Sequence, residues 1–537
     1  MASFALLAVS VLLIVAVLGY RFSATSRSKS SLLPLPPGPK PKFLLGNAAD
    51  FPPAGAKEWQ HWIEHKRLYG PISSLSVMGQ NIIILNDHQT TVDLLEKRSA
   101  IYSSRPKMVF AGDMCGWEHS MILQPYGDSS RAYRRATQPA LGTMSALESF
   151  KPQYDTEIRR FLLRVLRNPE DLQAHIRTTA GAVILRSTYG YEIDPHSRDP
   201  LVDLINETMM QFSDVSQPGK WAVDLVPALQ YLPDWFPGTG FKQYAKHCKE
   251  TLLQAGSIPY AFVEKQLRTG EAPTSYLSRL ITSADAKMSA DEAYIARWTA
   301  FSLYAGGADT TVSSMSTFFL LMTLHPEIQH VAQKELDSVL GDARLPAFTD
   351  RPNLPCTEAL IKEVFRFHPV APIDFPHVNT QDDEYEGYSI PKDSLILANI
   401  WAMLHDPAVY ASPDTFNPER FLGAHPEPDP KAICFGFGRR ICPGRHVADL
   451  TLWLEIASSL FAFDIRKTRD ANGIEITPDL DFTPGVISRP APYTCDVRPR
   501  SARHAELIEA IETEQPWSSQ GDAPEVESLI RESATKA

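Results

Sequence analysis

The sequence predicts a mainly α-helical protein with small β-sheets. Most of the chain between residues 42 and 499 has helical patterning, without a repeat or a low-complexity break. One predicted helix is unusually long, because it runs from a cap at Ser289 to Leu324. The clearest predicted strand is short: it is a buried apolar run over residues 82–85 that ends at Asn86. We therefore expect helices to form the body of the protein.

The long helix has a defined start, a defined end and an unusual middle. Ser289 and Glu292 have the spacing of a capping box, and Pro326 disfavours helix at the residue before it. Gly306 and Gly307 each cost about 1 kcal/mol relative to alanine in a helix interior. Together they predict a local distortion and free space beside the backbone. Close helix packing is the alternative, but the acid and hydroxyls of residues 309–311 favour a functional role.

The first residues predict a transmembrane anchor over residues 1–20. Residues 2–20 are almost wholly apolar, and as a helix they would span about 28 Å, close to the thickness of a bilayer core. Arg21, Arg27 and Lys29 follow, which places the N-terminus in the lumen and the body in the cytosol. A cleaved signal peptide would carry its basic residues before the apolar run instead. We expect a single-pass protein of the endoplasmic reticulum membrane.

Two further segments flank the predicted catalytic domain, which covers residues 42–499. Residues 21–41 form a polar and proline-rich linker, in which residues 34–39 should be a stiff extended arm. Residues 500–537 are polar and rich in glutamate, which predicts a mobile acidic tail that can carry a short helix.

Composition excludes several classes of function. The formal net charge of −11 leaves no basic surplus for neutralising phosphates, so we expect no nucleic-acid partner. The six cysteines include no Cys-x-x-Cys pair, and no close Cys or His ligands have the spacing of a zinc finger. A cytosolic body would also keep these thiols reduced.

The strongest motif surrounds Cys442. It reads Phe-Gly-Phe-Gly-Arg-Arg-Ile-Cys-Pro-Gly over residues 435–444. Its glycines allow the chain to fold tightly around the sulfur, and Arg439 and Arg440 are expected to lower the pKa of the thiol. A single cysteine cannot build a zinc site, but a thiolate can be the lone protein ligand of a haem iron. A buried structural cysteine in a turn is the alternative.

This string resembles the haem-binding signature of the cytochrome P-450 family, Phe-x-x-Gly-x-Arg-x-Cys-x-Gly, at every fixed position. The resemblance extends from the anchor to about Pro499. It implies the fold of that family, with haem b between the long central helix and the cysteine loop. Cys442 would be the axial thiolate, with Phe435, Gly436 and Gly444 around the cofactor. Residues 399–421 look most like membrane-bound fungal members that tailor secondary metabolites.

The resemblance also implies a buried ionic triad of Glu363, Arg366 and Arg420. Glu363 and Arg366 match the family's Glu-x-x-Arg, and residues 416–421 resemble its Pro-Glu-Arg-Phe segment. Glu363 falls within an apolar stripe of its predicted helix, where a carboxylate needs a partner. The triad would support the core behind the haem and take no part in the chemistry. Solvated charge pairs are the alternative.

Residues 305–310 resemble the oxygen-activation motif of the family's central helix. Thr310 would hold dioxygen and an ordered water, while Asp309 would feed in protons from outside. Gly306 and Gly307 would leave space for the cofactor. A thiolate ligand favours cleavage of the O–O bond.

Haem propionates need basic partners, and the resemblance implies Arg440, Arg134 and His377 for that role. An ordinary loop histidine is an equal alternative for His377. Ser130 departs from the family's usual tryptophan. A propionate hydrogen bond and some packing should therefore be missing or be supplied differently.

By family position, the substrate pocket is lined mostly by apolar residues, which predicts a hydrophobic small molecule as substrate. Asp374 is the exception, because it either faces the pocket and selects a cationic or hydroxylated substrate or points to solvent. The candidate pocket residues are Phe301, Ala305, Val370, Ile373, Asp374 and Val486.

The predicted function is insertion of one oxygen atom of O₂ into a hydrophobic secondary metabolite, with a terpenoid-like substrate favoured. The chain has no convincing flavin or nicotinamide motif, so electrons should come from an NADPH-dependent flavoprotein reductase, with cytochrome b5 as a further partner. Lys431, Arg439, Arg440 and Arg445 would form the docking face where they are exposed. The rival functions are a haem-thiolate isomerase, dehydratase or peroxygenase, which Asp309 and Thr310 disfavour, and a haem sensor.

Overall fold

The computed structural model describes residues 33–536 except residues 44, 54, 195–197, 218, 284–287 and 518–520. The predicted anchor, residues 1–20, lies outside the described residues, as does most of the predicted linker. Within the described part of the chain, no helix combines the length and the apolar character needed to cross a membrane.

Helices dominate the fold, as predicted. The longer ones are α1 (Glu58–Tyr69), α2 (Asp128–Leu141), α3 (Lys151–Arg167), α4 (Leu172–Tyr189), α5 (Pro200–Val215), α6 (Gly240–Thr269), α7 (Tyr276–Thr282), α8 (Ala290–Leu324), α9 (Pro326–Leu340), α10 (Pro355–Phe367), α11 (Arg445–Ala462), α12 (Ala502–Glu514) and α13 (Ala523–Lys536). Short helical segments lie at Ala48–Asp50, His88–Thr91, Val92–Lys97, Ser99–Tyr102, Val109–Met114, Trp117–His119, Ser145–Phe150, Pro169–Asp171, Ala222–Leu225, Pro227–Tyr231, Phe348–Asn353, Ile400–Leu404, Pro418–Phe421, Lys431–Cys434 and Gly438–Arg440.

The β-structure is small and divided. The strands are β1 (Ile72–Val77), β2 (Gln80–Leu85), β3 (His377–Val378), β4 (Asp383–Tyr385), β5 (Tyr388–Ile390), β6 (Leu395–Ala398), β7 (Phe463–Arg466), β8 (Thr468–Arg469), β9 (Glu475–Ile476) and β10 (Asp496–Pro499). Among the described residues, one four-stranded sheet has the order β1-β2-β6-β3, and the pairs β10-β7, β4-β5 and β8-β9 are separate. The predicted strand at residues 82–85 is confirmed. Its side chains are buried on both faces of the sheet, because Ile83 and Leu85 belong to one apolar cluster and Ile82 and Ile84 to another.

The long helix α8 crosses the core. Ser289 accepts a hydrogen bond from the Glu292 N–H, and the Glu292 carboxylate accepts one from the Ser289 N–H, so the predicted capping box is confirmed. The helix ends before Pro326 and is continuous through Gly306 and Gly307. It packs closely against α4, and apolar residues on all its sides are buried, which is typical of a helix in the centre of a large core.

The C-terminal segment differs from the mobile tail that the sequence analysis expects. Its helix α12 packs on α3, and α13 packs on α5 and α6. Ile508, Ile511 and Val526 are fully buried, whereas most of the glutamates are exposed. Apolar residues three and four positions apart form one face of a helix. The overall composition of the segment is dominated by glutamate and did not reveal this apolar face.

Candidate active site

A cavity of about 370 Å³ lies between α8 and the segment 435–444, here called the cysteine loop. Gly306, Gly307 and Thr310 line it from α8, and Cys442 lines it from the cysteine loop. Residues far apart in the sequence therefore meet across one internal space.

Backbone geometry shapes the cysteine loop. Gly436 and Gly438 have φ angles of 73° and 54°, in the left-handed region that favours glycine. A Cβ on Gly438 would also stand 2.3 Å from the Leu95 carbonyl oxygen. The Cys442 N–H donates to the Phe435 carbonyl oxygen at 2.8 Å, which closes the loop. Phe435, Gly436 and Gly444 all line the cavity beside the thiol.

The electrostatics at Cys442 differ from the prediction. Burial raises the pKa of the thiol, while the Gly444 N–H and the Arg134 guanidinium act in the opposite direction. Arg439, which was expected to lower this pKa, is exposed and donates to the Tyr126 hydroxyl at 2.5 Å. Arg440 donates to the carbonyls of Ser103 and Gln124 at 2.7 and 2.6 Å. The adjacent arginines thus serve other contacts, because the tight loop turns their side chains away from the sulfur.

Three arginine side chains line one end of the cavity. Arg440 and Arg134 were selected from the sequence, and Arg105 joins them. Arg134 donates to the Ile441 carbonyl at 2.5 Å, and Arg105 donates to the carbonyls of Phe375 and Pro376. Burial lowers the pKa of Arg105 to about 10, and burial with the nearby Arg105 charge lowers that of Arg440 to about 9.

This cluster fits an anionic ligand at that end of the cavity. Buried cations need a counter-charge, and the Arg105 Nε has no hydrogen-bond partner among the described residues. Two haem propionates would supply the missing charge. Sequence reasoning missed Arg105, for which the only signal was a single basic residue before a proline.

His377 and Asp374 form a neighbouring pair. His377 is buried outside the cavity lining, with Nδ1 2.7 Å from the Tyr102 carbonyl and Nε2 3.3 Å from the Asp374 carboxylate. Asp374 lines the cavity and accepts the Phe375 N–H at 2.8 Å. Burial raises the pKa of Asp374, but His377 and Arg105 outweigh this effect and leave it below its usual value. Of the two predicted orientations, the structure shows the one towards the cavity, at the arginine end.

Ser130 has a local role at the position where the family usually has tryptophan. Its hydroxyl accepts the Gly127 N–H at 3.0 Å and caps the start of α2. The residue is buried and does not line the cavity. The cavity-lining Arg105 is the group near this end that can supply the contact that Ser130 lacks.

The two glycines of α8 serve different purposes. A Cβ on Gly306 would meet no atom within 4 Å, so this position leaves open space at the cavity. A Cβ on Gly307 would stand 2.8 Å from the Ile184 side chain, so this glycine lets α4 pack against α8. The two predicted explanations, free space and close packing, therefore apply to one glycine each.

The side chains of Thr310 and Asp309 differ in their position relative to the cavity. Thr310 lines the cavity, and its hydroxyl donates to the Gly306 carbonyl at 2.6 Å. The Asp309 side chain lies outside the cavity lining and accepts a hydrogen bond from Arg489 at 2.9 Å. Asp309 therefore lies on the outer side of Thr310.

The three residues of the predicted ionic triad are in contact. Arg366 binds both oxygens of Glu363, at 2.7 and 2.8 Å, and Arg420 lies 3.2 Å from the same carboxylate. Glu363 and Arg366 have no exposed surface, and Glu363 also accepts the Asn417 N–H at 2.8 Å. The triad joins α10 to residues 417–420 and lies away from the cavity lining.

Much of the remaining cavity lining is apolar. Phe301, Ala305, Val370 and Val486 line it, whereas Ile373 does not. Ile373 packs against the small apolar cluster under the four-stranded sheet instead. Large apolar side chains that the sequence analysis did not single out complete the lining: Trp117, Met121, Met209 and Phe212.

Comparisons with known proteins agree with this geometry. The family model described as Cytochrome P-450 matches residues 36–495. Cytochrome P-450 monooxygenase claR of Ampulloclitocybe clavipes is 46% identical, over 89% of this chain and 88% of its own. O-methylsterigmatocystin oxidoreductase of Aspergillus flavus is 42% identical, over 93% and 94%. Cytochrome P-450 monooxygenase CLM2 of Gibberella zeae is 43% identical, over 91% and 93%. The chain therefore belongs to the cytochrome P-450 family and is a monooxygenase.

Proposed function

We propose that this monooxygenase inserts one oxygen atom of O₂ into a hydrophobic fungal secondary metabolite, with a terpenoid-like skeleton favoured. The observation that carries the proposal is the meeting of Cys442 and Thr310 across a cavity whose lining is largely apolar. Haem b with a thiolate ligand supplies the activation of dioxygen when it is bound.

The residues around the cavity have separate tasks in this proposal. Cys442 would ligate the iron, while Arg105, Arg134 and Arg440 would hold the propionates by charge-assisted hydrogen bonds. Gly306 leaves room for the cofactor on the α8 side.

The next tasks concern protons and substrate. Thr310 orders water on the cavity side of α8, and Asp309 behind it exchanges protons with solvent. Phe301, Val370 and Val486 exclude bulk water and orient the substrate by apolar contact. A relay that reaches both the cavity and the outside favours a monooxygenase over an isomerase or a sensor.

Electrons would come from NADPH through a flavoprotein reductase at the endoplasmic reticulum membrane, where residues 1–20 would anchor the chain. Cytochrome b5 would be a second donor. Arg439 and Arg131 flank Tyr126 on the outer side of the cysteine loop and offer a basic surface. Lys431, predicted for the same surface, instead binds Glu358 and Asp449 at 2.8 and 2.5 Å. Arg440 lines the cavity, as expected for a residue that contacts the cofactor, so the proposed docking face comprises Arg439 and Arg131.

The test is the difference spectrum of the reduced, carbon-monoxide-bound protein. The parent should show a strongly red-shifted Soret band, and Cys442→Ser should lose it. Cys434→Ser is a matched control, because Cys434 also lines the cavity but is not the proposed ligand. A parent without haem, or a Cys442→Ser protein that keeps the band, would refute the proposal. Product formation with reductase and NADPH, from terpenoids and from O-methylsterigmatocystin, then tests the substrate class.

A further inference from the structure

Two free cysteines meet outside the cavity, between α6 and residues 109–117, here called the tryptophan segment. Cys115 and Cys248 are both fully buried, and neither belongs to the cavity lining. Their thiols are in contact, and this contact is the largest cause of the pKa shift of each one. The proposed function uses neither thiol.

The backbones of the tryptophan segment and α6 come close together at this point. Gly116 has a φ of 86°, in the left-handed region, and a Cβ there would stand only 3.1 Å from the Leu252 side chain. The rings of Phe110 and Tyr244 are stacked, with their centroids 6.5 Å apart. Leu252 and Tyr244 lie one turn of α6 after and before Cys248. The segment therefore follows α6 past Cys248 on both sides.

The two thiols differ in their chemistry. The contact with Cys115 lowers the pKa of Cys248 below its ordinary value; burial opposes this change, and the Tyr244 hydroxyl assists it. The contact with Cys248 raises the pKa of Cys115, and burial acts in the same direction. Because a thiolate is the form that reacts with peroxides, Cys248 is the thiol to be oxidised first. Cys115 then lies beside it as the second thiol.

We propose that Cys115 and Cys248 form a modification site, where hydrogen peroxide produces a disulfide that joins the tryptophan segment to α6. The Cys248 sulfur attacks one peroxide oxygen, the O–O bond breaks, and the products are a sulfenic acid and water. The Cys115 sulfur then attacks the Cys248 sulfur, and the hydroxyl group leaves as a second water with the Cys115 proton. Two thiols are oxidised, and one peroxide is reduced to two waters. A thiol reductant reverses the modification.

The source of the peroxide and the modification itself are separate questions. A monooxygenase that reduces O₂ with two electrons and two protons, without oxidising a substrate, releases hydrogen peroxide. That source rests on the proposed function, whereas the reaction of the thiol pair with added peroxide does not. Disulfides that form in a reducing compartment are usually transient and often sense oxidants, which fits a reversible site.

The disulfide would restrain the wall of the cavity. Trp117 lines the cavity two residues after Cys115, and its ring centroid is 4.2 Å from that of Phe212, a cavity-lining residue of α5. Helix α5 in turn packs on α6. A molecule passes between Trp117 and Phe212 only if the tryptophan segment moves away from these two helices. A cross-link removes conformations in which the joined segments are apart, as it does in an unfolded chain.

The first experiment oxidises the haem-loaded protein with hydrogen peroxide, alkylates the remaining thiols and identifies the peptides by mass spectrometry. We expect one peptide pair joined through Cys115 and Cys248, which dithiothreitol separates. Cys115→Ala and Cys248→Ala should each abolish the pair. Cys495→Ala, which removes a partly buried thiol elsewhere, is the matched control and should keep it. Diamide, which withdraws the same two hydrogen atoms from the thiols, replaces peroxide in any sample whose carbon-monoxide band is bleached.

The second experiment measures passage into the cavity by stopped-flow binding of 4-phenylimidazole, a probe that ligates ferric haem. Oxidation of the parent should slow both association and dissociation of the probe several-fold, and dithiothreitol should restore both rates. Oxidised Cys115→Ala should bind the probe at its unoxidised rate, whereas Cys495→Ala should respond as the parent does. If Cys115→Ala loses the carbon-monoxide band, Cys248→Ala replaces it under the same criteria.

The outcomes are distinguishable. Absence of the joined peptides after both oxidants, in a parent that keeps the carbon-monoxide band, would overturn the inference. Joined peptides with unchanged rates of probe binding would overturn the restraint of the cavity wall. A parent that forms the joined peptides but never shows the band would instead overturn the proposed function and support the thiol site.

Discussion

Replacement of Glu455 by glutamine removes a carboxyl group that is buried beside the active-site cavity. Glu455 follows Thr451 by one turn of α11, and both residues line the cavity. Its Oε1 has no hydrogen-bond partner among the described residues. Burial raises the pKa of Glu455 from its usual 4.5 to about 8, although the Arg164 guanidinium opposes this rise. A neutral carboxyl is therefore the form that the folded protein favours.

The expected change in stability follows from this difference in pKa. Between pH 4.5 and about 8, the folded protein holds a proton that the unfolded chain has lost, so stability falls as the pH rises through this window. Each pH unit costs about 1.4 kcal/mol, which amounts to roughly 3 kcal/mol at pH 7. Glutamine cannot ionise and escapes this cost. An unfolding entropy of about 1 kcal/mol/K for a chain of this length converts the gain to about 3 °C in Tm.

The assay is thermal unfolding of the holoprotein between pH 5 and pH 9. Glu455→Gln should unfold within about 1 °C of the parent at pH 5 and about 3 °C above it at pH 7. Glu509→Gln, on the exposed side of α12, should follow the parent at every pH. Parallel curves for the parent and Glu455→Gln would show that Glu455 does not titrate in this window, and the reasoning from burial would be wrong.

Three further predictions concern the cysteine loop, the ionic triad and the arginine cluster. Gly438→Ala should abolish haem binding, measured as haem content, because its Cβ would strike the Leu95 carbonyl at a φ of 54°. Glu363→Ala should destabilise the protein by roughly 3–5 kcal/mol, seen in thermal unfolding, because it leaves the buried Arg366 guanidinium without a counter-charge, whereas Arg420 keeps Glu427. Arg105→Gln should release haem to apomyoglobin several-fold faster while keeping the red-shifted band, because it weakens a propionate contact and leaves Cys442 in place.

Each of these predictions has a control or a result that would contradict it. Gly473→Ala has a similarly positive φ with no atom within 4 Å, so it separates backbone strain from the clash at Gly438. Glu506→Gln removes an exposed pair with Arg503 and should cost about 0–1 kcal/mol. Unaltered haem release in Arg105→Gln would remove this residue from the propionate site.

The local sequence pattern was sufficient to predict structure where the role of a residue depends on its neighbours in the chain. The capping box at Ser289, the end of α8 before Pro326 and the buried strand before Asn86 were all predictable, because caps, proline and apolar runs act over a few residues. The segment around Cys442 was recognisable for the same reason, since its glycines occur at fixed spacing from the cysteine.

Other features depended on contacts between distant segments. Arg105 carries no local signal, and its place in the arginine cluster follows from the packing of its segment on residues 375–376. The sequence identified Asp309 as an acid beside Thr310. It did not identify the partner Arg489, because that residue lies far along the chain. The glutamates after residue 500 suggested a mobile tail, whereas Ile508 and Val526 find apolar surfaces on other helices.

The sequence by itself therefore determined the helical class, the long central helix, the thiol and the family, because each rests on residues that are close in the chain. Only the tertiary structure decided which charges meet. It turned Arg439 away from Cys442, directed Asp374 towards Arg105, placed Ile373 under the sheet and paired Asp309 with Arg489. Direction and burial of a side chain depend on the packing of whole elements, and the free energy of a charge depends on what that packing places beside it.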